Sequence, residues 1–232
     1  MSLKNKVILV TGASRGIGKA IAERFSNEGA IAIITSRNLK EIKDVSKRIK
    51  NSFPVELDVA DKKSVKSAVQ KIISRFKRID ILINNAGIVD YGTLLDVDYE
   101  HIDSQISTNL LGTIYCTKEV LRYMAAEKSG IIINIGSGSG KKGAAETSVY
   151  CASKFGVTGF TESIAEEFRH HNIKVHLINP GKVNTSIHKI PANDSRREKM
   201  LIPEDIADIC VYLANLPQRV DVREVNIRPW IG

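Results

Sequence analysis

The sequence predicts a single α/β domain in which a doubly wound, mostly parallel sheet of seven strands carries helices on both faces. Short apolar runs alternate with longer amphipathic ones along the whole chain. Several of the short runs are apolar throughout, which is typical of strands covered on both faces of a parallel sheet. With 232 residues and no composition break that would mark a linker, the chain is predicted to form one domain over residues 1–232.

The apolar runs predict the strands and the periodic segments between them predict the helices. The predicted strands are 7–10, 31–34, 55–57, 79–83, 131–135, 175–178 and 225–227. Ile17, Ile21 and Phe25 illustrate the helical spacing in the first connection. Pro203 and the two acidic residues after it predict a helix start, because proline and negative charge both favour a helix N-terminus. Residues 182–202 have no clear period and predict a substrate loop.

The composition argues against several other classes of protein. The net charge is +8, but the basic residues are spread along the chain without an aromatic-interleaved patch, which argues against nucleic acid as a partner. The three cysteines have neither metal-ligand nor disulfide-framework spacing. There is no long apolar leader and no apolar stretch of ~20 residues that could span a bilayer. We therefore expect no metal, no membrane partner and a reducing, cytoplasmic location.

A glycine-rich turn follows the first predicted strand and leads into the first helix. The segment VTGASRGIG, residues 10–18, has glycines that let backbone N–H groups approach a pyrophosphate at the helix N-terminus. Its spacing is GxxxGxG, which differs from the commoner GxGxxG fingerprint, and a plain structural turn is the alternative. The predicted cofactor contacts in this turn are Gly12, Ser14, Arg15, Gly16, Ile17 and Gly18.

The end of the second predicted strand indicates which nucleotide would bind. An acidic residue there would bind a ribose 2′-hydroxyl, whereas an arginine accommodates a 2′-phosphate. Here the strand ends in Ser36 and Arg37 with no carboxylate, and Arg15 lies in the glycine turn. This charge pattern favours NADPH over NADH. The alternative is that Arg37 is only a solvated loop arginine.

Tyr150 and Lys154 form a pair that suits proton transfer. At positions i and i+4 they share one face of a helix, so the ammonium can lie near the phenol. Because the ordinary pKa of tyrosine is ~10, a nearby positive charge is expected to lower it. Tyr150 could then act as general acid in carbonyl reduction and as base in the reverse reaction. Ser137 lies just beyond a predicted strand and is a better partner than Ser139, which lies further into the loop.

Four motifs in order resemble the short-chain dehydrogenase/reductase family. They are the glycine turn, NNAG at residues 84–87, YCASK at residues 150–154 and PGKVNT at residues 180–185, and the resemblance runs from about Val7 to Thr185. It implies a single-domain Rossmann fold and a homodimer or homotetramer. It also implies a catalytic tetrad in which the serine precedes the tyrosine by thirteen positions, which selects Ser137. The implied tetrad is Asn109, Ser137, Tyr150 and Lys154.

The resemblance also implies how these residues are used. Lys154 would hold the nicotinamide ribose hydroxyls together with Tyr150, and Asn109 would order a water that links the lysine to solvent. The remaining implied cofactor contacts are Asp58, Val59, Asn85, Ala86, Gly87, Pro180, Gly181, Val183 and Thr185. The ending VREVNIRPWIG departs from the longer members of the family, which puts the substrate-side closure and the tetramer interface in doubt.

The predicted activity is NADPH-dependent reduction of a 3-oxoacyl thioester, as in the reductases of fatty acid metabolism that the chain resembles. The substrate could be a small molecule or bound to a carrier protein. An acidic carrier could be attracted by basic residues expected near the entrance, namely Lys141, Lys142, Lys182, Arg196 and Arg197. The alternatives are oxidation of a 3-hydroxy acid or another alcohol, reduction of a pteridine or xenobiotic ketone, and a non-catalytic nucleotide-sensing role.

Overall fold

The computed structural model describes residues 2–187, 191 and 193–230. In this part of the chain the strands are β1 (Val7–Val10), β2 (Ile31–Ser36), β3 (Ser52–Glu56), β4 (Ile81–Asn84), β5 (Gly130–Ile135), β6 (Ile173–Pro180) and β7 (Glu224–Ile227). They form one sheet in the order β3-β2-β1-β4-β5-β6-β7, and every neighbouring pair is parallel. The predicted doubly wound sheet is confirmed.

Helices cover both faces of this sheet. The α-helices are α1 (Gly16–Asn27), α2 (Leu39–Ser46), α3 (Lys62–Phe76), α4 (Tyr99–Ile106), α5 (Gly112–Ala126), α6 (Ser148–Glu167) and α7 (Pro203–Asn215). Apolar residues of α1, α2 and α7 belong to one core cluster, and those of α3, α5 and α6 belong to the other. As the sequence predicts, the last helix begins at Pro203, and the Asp205 carboxylate accepts a hydrogen bond from Ile202 N at 2.8 Å.

The alternation of side chains along each strand explains the two cores. Ile8 and Val10 of β1 pack into the first cluster, whereas Leu9 packs into the second, and all three are fully buried. Successive side chains of a strand point to opposite faces, so a strand covered on both sides must be apolar throughout. Each such side chain contributes roughly 1.5–3 kcal/mol by its burial.

The order of the strands creates a crevice between β1 and β4. From β1 the chain builds outward to β2 and β3 in one direction, and from β4 to β7 in the other. Ligands of open α/β sheets bind at such a reversal, outside the carboxyl ends of the strands. The glycine turn follows β1 and the NNAG segment ends β4, so the fold brings these two motifs to the crevice.

Only β1 has the predicted bounds, and pairing explains three of the six differences. β4 starts at Ile81, because the buried carboxylate of Asp80 accepts hydrogen bonds from Val7 N and Lys6 Nζ, both at 2.9 Å. β3 starts at Ser52 and includes Pro54, which is tolerated because β3 is an edge strand. β6 spans 173–180, because it pairs along its length with β5 and β7.

Backbone hydrogen bonds join the two ends of the predicted substrate loop. Asn184 N donates to Leu201 O at 2.7 Å, and Leu201 N donates to Lys182 O at 3.0 Å. A short 3-10 turn covers Ser195–Lys199, whereas residues 188–190 and 192 of this loop lie outside the described residues. None of the helices described has the length and apolar character that crossing a membrane requires.

Candidate active site

Hydrogen bonds between Thr11 and Asn85 link the glycine turn to the NNAG segment at the crevice. The Thr11 hydroxyl accepts hydrogen bonds from Asn85 N at 2.9 Å and from Ala86 N at 3.0 Å. In return, the Asn85 side-chain amide donates to Thr11 O at 2.9 Å. We did not predict a role for Thr11 from the sequence, although its place between β1 and the first glycine was a usable signal.

The glycine turn lies against two of the other predicted cofactor segments. Gly12 has φ +63°, and a Cβ at this position would lie only 2.9 Å from Ala86 Cα, so only glycine fits. A Cβ at Gly16 would lie 3.3 Å from the Thr185 methyl group. Helix α1 starts at Gly16 without a side-chain cap, which leaves its first N–H groups available to an anion. This arrangement fits a dinucleotide pyrophosphate.

Two cations, Arg15 and Arg37, are the residues predicted to meet a ribose 2′-phosphate. Arg15 precedes α1 and Arg37 follows β2, and both side chains are exposed. Within the described ranges, neither guanidinium has an ion-pair partner. Ser36 accepts a hydrogen bond from Asn38 N at 3.1 Å and thereby shapes the backbone around Arg37. Both guanidinium groups are therefore available for the predicted contact with a 2′-phosphate.

The predicted adenine contacts lie on the short connection after β3. The Asp58 carboxylate accepts a hydrogen bond from Ala60 N at 3.0 Å, and Asp58 N donates to Ser64 Oγ at 3.0 Å. The Val59 side chain is buried against Gly112 at the start of α5. Both residues lie at the same edge of the sheet as the glycine turn, since β3 is parallel to the other strands.

Helix α6 places Tyr150 and Lys154 on one face, beside the serine that follows β5. The Ser137 side chain lies beside the Tyr150 hydroxyl and acts to lower the pKa of that phenol. Lys154 Nζ lies 5.8 Å from the centroid of the Tyr150 ring and donates to Ile135 O at 2.9 Å. Ser139 contributes its backbone N–H, which donates to Ser137 Oγ at 3.1 Å. The structure thus brings Ser137 to Tyr150 and uses Ser139 to support it.

Burial has the largest effect on the pKa of both Tyr150 and Lys154. Burial raises the pKa of Tyr150 above its usual value, although the Ser137 side chain acts in the opposite direction. Burial also lowers the pKa of Lys154 to about 8. The expectation that Lys154 lowers the pKa of Tyr150 is therefore wrong for this arrangement. The physical reason is that the ammonium lies over the ring and points to Ile135 O.

Asn109 lies in a π-helical turn, Ser107–Leu111, which joins α4 to α5. Its Oδ1 accepts from Ile88 N at 2.8 Å, and its Nδ2 donates to Ile88 O at 2.9 Å and to Ser153 Oγ at 3.1 Å. The side chain therefore joins the segment after NNAG to helix α6. Such turns are frequent at functional sites, because they rotate side chains away from the regular helical positions. Sequence reasoning did not predict the contribution of Ser153.

Gly87 lies against two of the four predicted tetrad positions. A Cβ at Gly87 would lie 3.4 Å from Asn109 Oδ1 and 3.7 Å from Lys154 Nζ. Lys154 itself is only 5% exposed, and Asn109 is fully buried. The NNAG segment, the π turn and α6 therefore come together at Gly87.

The basic residues expected around the entrance are partly neutralised. Lys141 Nζ lies 2.7 Å from Glu224 Oε2, and Arg196 Nη2 lies 2.6 Å from Asp194 Oδ2. Arg197 Nη1 donates to Asn184 Oδ1 at 2.5 Å. The two ion pairs, unlike the bond from Arg197 to a neutral amide, reduce the positive charge available to attract an acidic carrier. Over the described ranges, His, Cys, Asp and Glu side chains form no group of three that could hold a metal ion.

The fold and the site together define a class of protein. A glycine turn at the reversal of a doubly wound parallel sheet is the arrangement of dinucleotide-binding α/β enzymes. The model of the short chain dehydrogenase family matches residues 6–195. An uncharacterized oxidoreductase of Staphylococcus saprophyticus is 36% identical over 234 residues, covering 99% of each chain. Another, from Staphylococcus epidermidis, is 34% identical and covers 98% of each chain. The protein therefore belongs to the short chain dehydrogenase family of oxidoreductases.

Two solved structures are similar along almost the whole chain. A metagenomic short-chain oxidoreductase in complex with NADP has a TM-score of 0.88 and 31% identity, and the match covers 100% of both chains. An alcohol dehydrogenase from the archaeon Thermococcus sibiricus, complexed with 5-hydroxy-NADP, has a TM-score of 0.92. At 24% identity over 99% of this chain and 98% of that one, the second match supports the fold alone.

Proposed function

We propose that the protein is an NADPH-dependent oxidoreductase that interconverts a ketone and a secondary alcohol. The observation that carries this proposal is the Ser137 side chain beside the Tyr150 hydroxyl, where it lowers the pKa of the phenol, with the buried Lys154 amine beside the phenol ring. A serine hydroxyl and a phenol are both donors for a carbonyl oxygen. The family membership supports the reaction class.

Tyr150 is proposed as the proton donor and Ser137 as the group that stabilises the developing negative charge. Because burial raises the pKa of Tyr150, the phenol is protonated at neutral pH, as a general acid for reduction must be. The Ser137 hydroxyl would donate a hydrogen bond to the substrate oxygen. In alcohol oxidation the proton acceptor would be the phenolate form of Tyr150, so that direction requires the phenol to lose its proton first.

Lys154 and Asn109 are proposed to complete the tetrad. The Lys154 amine has a pKa of about 8, so it exchanges protons readily near neutral pH. One of its N–H groups is fixed on Ile135 O, which leaves the others to hold ribose hydroxyls and to interact with Tyr150. Asn109 would order a water beside the lysine, and its bonds to Ile88 and Ser153 would keep that corner of the site rigid.

The residues around the crevice fit NADPH, and the NADP-bound relative supports this choice. When bound, NADPH supplies the hydride for the reduction. The pyrophosphate would be held by the glycine turn and the N-terminus of α1, and the 2′-phosphate by Arg15 and Arg37. The adenine, ribose and nicotinamide contacts would come from the ends of the remaining strands, namely Asp58, Val59, Asn85, Ala86, Gly87, Pro180, Gly181, Val183 and Thr185.

Replacing Arg37 with alanine should weaken the use of NADPH without weakening the use of NADH. Loss of one charge-assisted contact to a phosphate should raise the KM for NADPH by about tenfold or more. The KM for NADH should stay within about twofold, since no phosphate meets the lost guanidinium. Steady-state kinetics with both cofactors measure the two changes.

The matched control for Arg37 is Arg48→Ala, which removes the same charge from another exposed site. It should leave both KM values unchanged. Equal losses with NADPH and NADH in the Arg37 variant would contradict the 2′-phosphate assignment. Such a result would indicate a general electrostatic effect or damage to β2.

We further propose a 3-oxoacyl thioester as the substrate. Lys142 and Lys182 remain as exposed cations, although Lys141 and Arg196 are paired. If exposed charge guides an acidic carrier, kcat/KM for the carrier-bound thioester should fall about tenfold between low and moderate salt. Turnover of a small neutral ketone should change by less than about twofold over the same range. Equal salt responses would contradict charge steering.

The same assay separates the alternatives. NADPH oxidation would be followed with an acetoacetyl thioester, then with neutral ketones and pteridines, and the reverse reaction with 3-hydroxy acids and other alcohols. Turnover confined to another carbonyl or alcohol would retain the reaction class and replace the substrate. Tight NADPH binding without any turnover would indicate the nucleotide-sensing role. The homodimer or homotetramer, the cytoplasmic location and the single domain stay predictions.

A further inference from the structure

Ser137 lies just beyond the point at which the backbone hydrogen bonding between β5 and β6 ends. The last paired residues of β5 and β6 are Ile135 and Ile178, and Gly136 N donates one more bond to Ile178 O at 2.7 Å. The next backbone donor, Ser137 N, is held by a side chain instead. It donates to Asn179 Oδ1 at 3.2 Å. A buried N–H group needs such a partner, so Asn179 takes over where the strand pairing ends.

Gly136 makes this contact possible. A Cβ at position 136 would overlap the Asn179 Oδ1 atom, so any side chain there would push the amide away from Ser137. Asn179 is 1% exposed and lies on β6, where it pairs with Asn226 of β7. The amide is therefore enclosed between the serine loop and the last strand.

Glu224 determines which end of the Asn179 amide faces the serine. Asn179 Nδ2 donates to Glu224 Oε1 at 3.1 Å and to Asn226 Oδ1 at 3.3 Å. A carboxylate can only accept hydrogen bonds, so the NH₂ group must face Glu224. The opposite orientation would place two oxygens against each other. With the NH₂ group fixed, Oδ1 faces Ser137 N.

The carboxylate itself is held from two sides. Asn226 Nδ2 donates to Oε1 at 2.8 Å, and Lys141 Nζ lies 2.7 Å from Oε2. Burial alone would raise the pKa of Glu224, but the hydrogen bonds from Lys141 and Asn226 lower it below its usual value. Glu224 therefore stays ionised at neutral pH and keeps its role as an acceptor.

We propose that Glu224 is a positioning residue, which acts through the Asn179 amide to hold Ser137 against Tyr150. The inference rests on the proposed function, since it presumes that the Ser137 hydroxyl meets the substrate oxygen. It assigns a role to the last strand, in the part of the chain where the ending departs from the longer family members. Lys141, expected near the substrate entrance, instead anchors this carboxylate.

Glu224→Ala tests the proposal directly. Without the carboxylate, the amides of Asn179 and Asn226 both lose the acceptor that fixes their orientation, and kcat should fall about tenfold, the equivalent of about one hydrogen bond. The KM for NADPH and its affinity by fluorescence titration should be unchanged, since the glycine turn is not touched. The matched control is Glu166→Ala. It removes a carboxylate whose Oε1 lies 2.9 Å from Nη1 of Arg223, the residue before β7, and it should leave kcat unchanged.

A double-mutant cycle distinguishes positioning from general damage. The cycle measures kcat in a Ser137→Ala background at high enzyme concentration. In that background Glu224→Ala should lower kcat by less than about a further twofold, because the hydroxyl that Glu224 positions is already gone. A full additional tenfold loss in that background would overturn the proposal. Ser137→Ala with wild-type turnover would instead contradict the proposed function, so the two failures are distinguishable.

Glu224→Gln tests the route through the amide. Glutamine keeps an acceptor oxygen for Asn179 but loses the ion pair with Lys141. It should recover most of the activity lost in Glu224→Ala. If Glu224→Gln is as slow as Glu224→Ala, the effect comes from the ion pair, and the route through Asn179 is overturned.

Discussion

Replacing Tyr150 with phenylalanine is expected to lower kcat by about 100- to 10,000-fold, the range for loss of a general acid. The aromatic ring and its contact with Lys154 remain, so the fold and the lysine stay in place. What disappears is the phenol hydroxyl beside Ser137 that is proposed to protonate the substrate oxygen. Binding of NADPH should stay close to the wild-type level, since its proposed contacts lie largely on the strand ends.

The measurement is NADPH oxidation with an acetoacetyl thioester, together with a fluorescence titration of the cofactor. Tyr212→Phe is the matched control, because it removes a phenol hydroxyl from the exposed surface of α7. It should be fully active. If Tyr150→Phe keeps more than about a tenth of the wild-type turnover, Tyr150 is not the proton donor. Loss of NADPH affinity in the same variant would point to a structural defect.

The sequence predicts the part of the site that depends on local order along the chain. The glycine turn must follow β1 and the NNAG segment must end β4, and the strand order brings both to one crevice. Tyr150 and Lys154 share a face because four residues make about one helical turn. Ser137 is preferred over Ser139 because it lies just beyond the end of β5, and the structure places its side chain beside the Tyr150 hydroxyl.

The sequence does not reveal contacts that depend on which strands become neighbours. Asn179 and Glu224 meet only because β6 pairs with β7 in a particular register. Lys141 is indistinguishable from other loop lysines until Glu224 is placed beside it. The direction of the Tyr150 pKa shift was missed for a related reason. Helical spacing places Lys154 near the ring, but the acceptor Ile135 O, on another element, decides where the ammonium points.

Lys154→Met should make the protein more stable and, at the same time, inactive. Burial lowers the pKa of Lys154 from 10.5 to about 8, so below pH 8 the folded protein carries the full cost of a buried charge. At 1.36 kcal/mol for each pKa unit, that cost is about 3 kcal/mol, and losing the bond to Ile135 O offsets about 1 kcal/mol. The variant should therefore gain about 2 kcal/mol of unfolding free energy at neutral pH.

The pH dependence of this gain identifies its origin. A lysine with a depressed pKa destabilises the folded state fully below pH 8, and the penalty shrinks as pH rises toward 10.5. The gain from Lys154→Met should therefore be largest near pH 7 and nearly absent near pH 10, as urea denaturation at both pH values would measure. Lys142→Met, which removes an exposed lysine, should change stability at neither pH. A pH-independent gain would attribute the effect to packing alone. Active sites keep destabilising groups when the reaction needs them. If Lys154→Met retains turnover, the buried amine beside Tyr150 is not needed for the reaction.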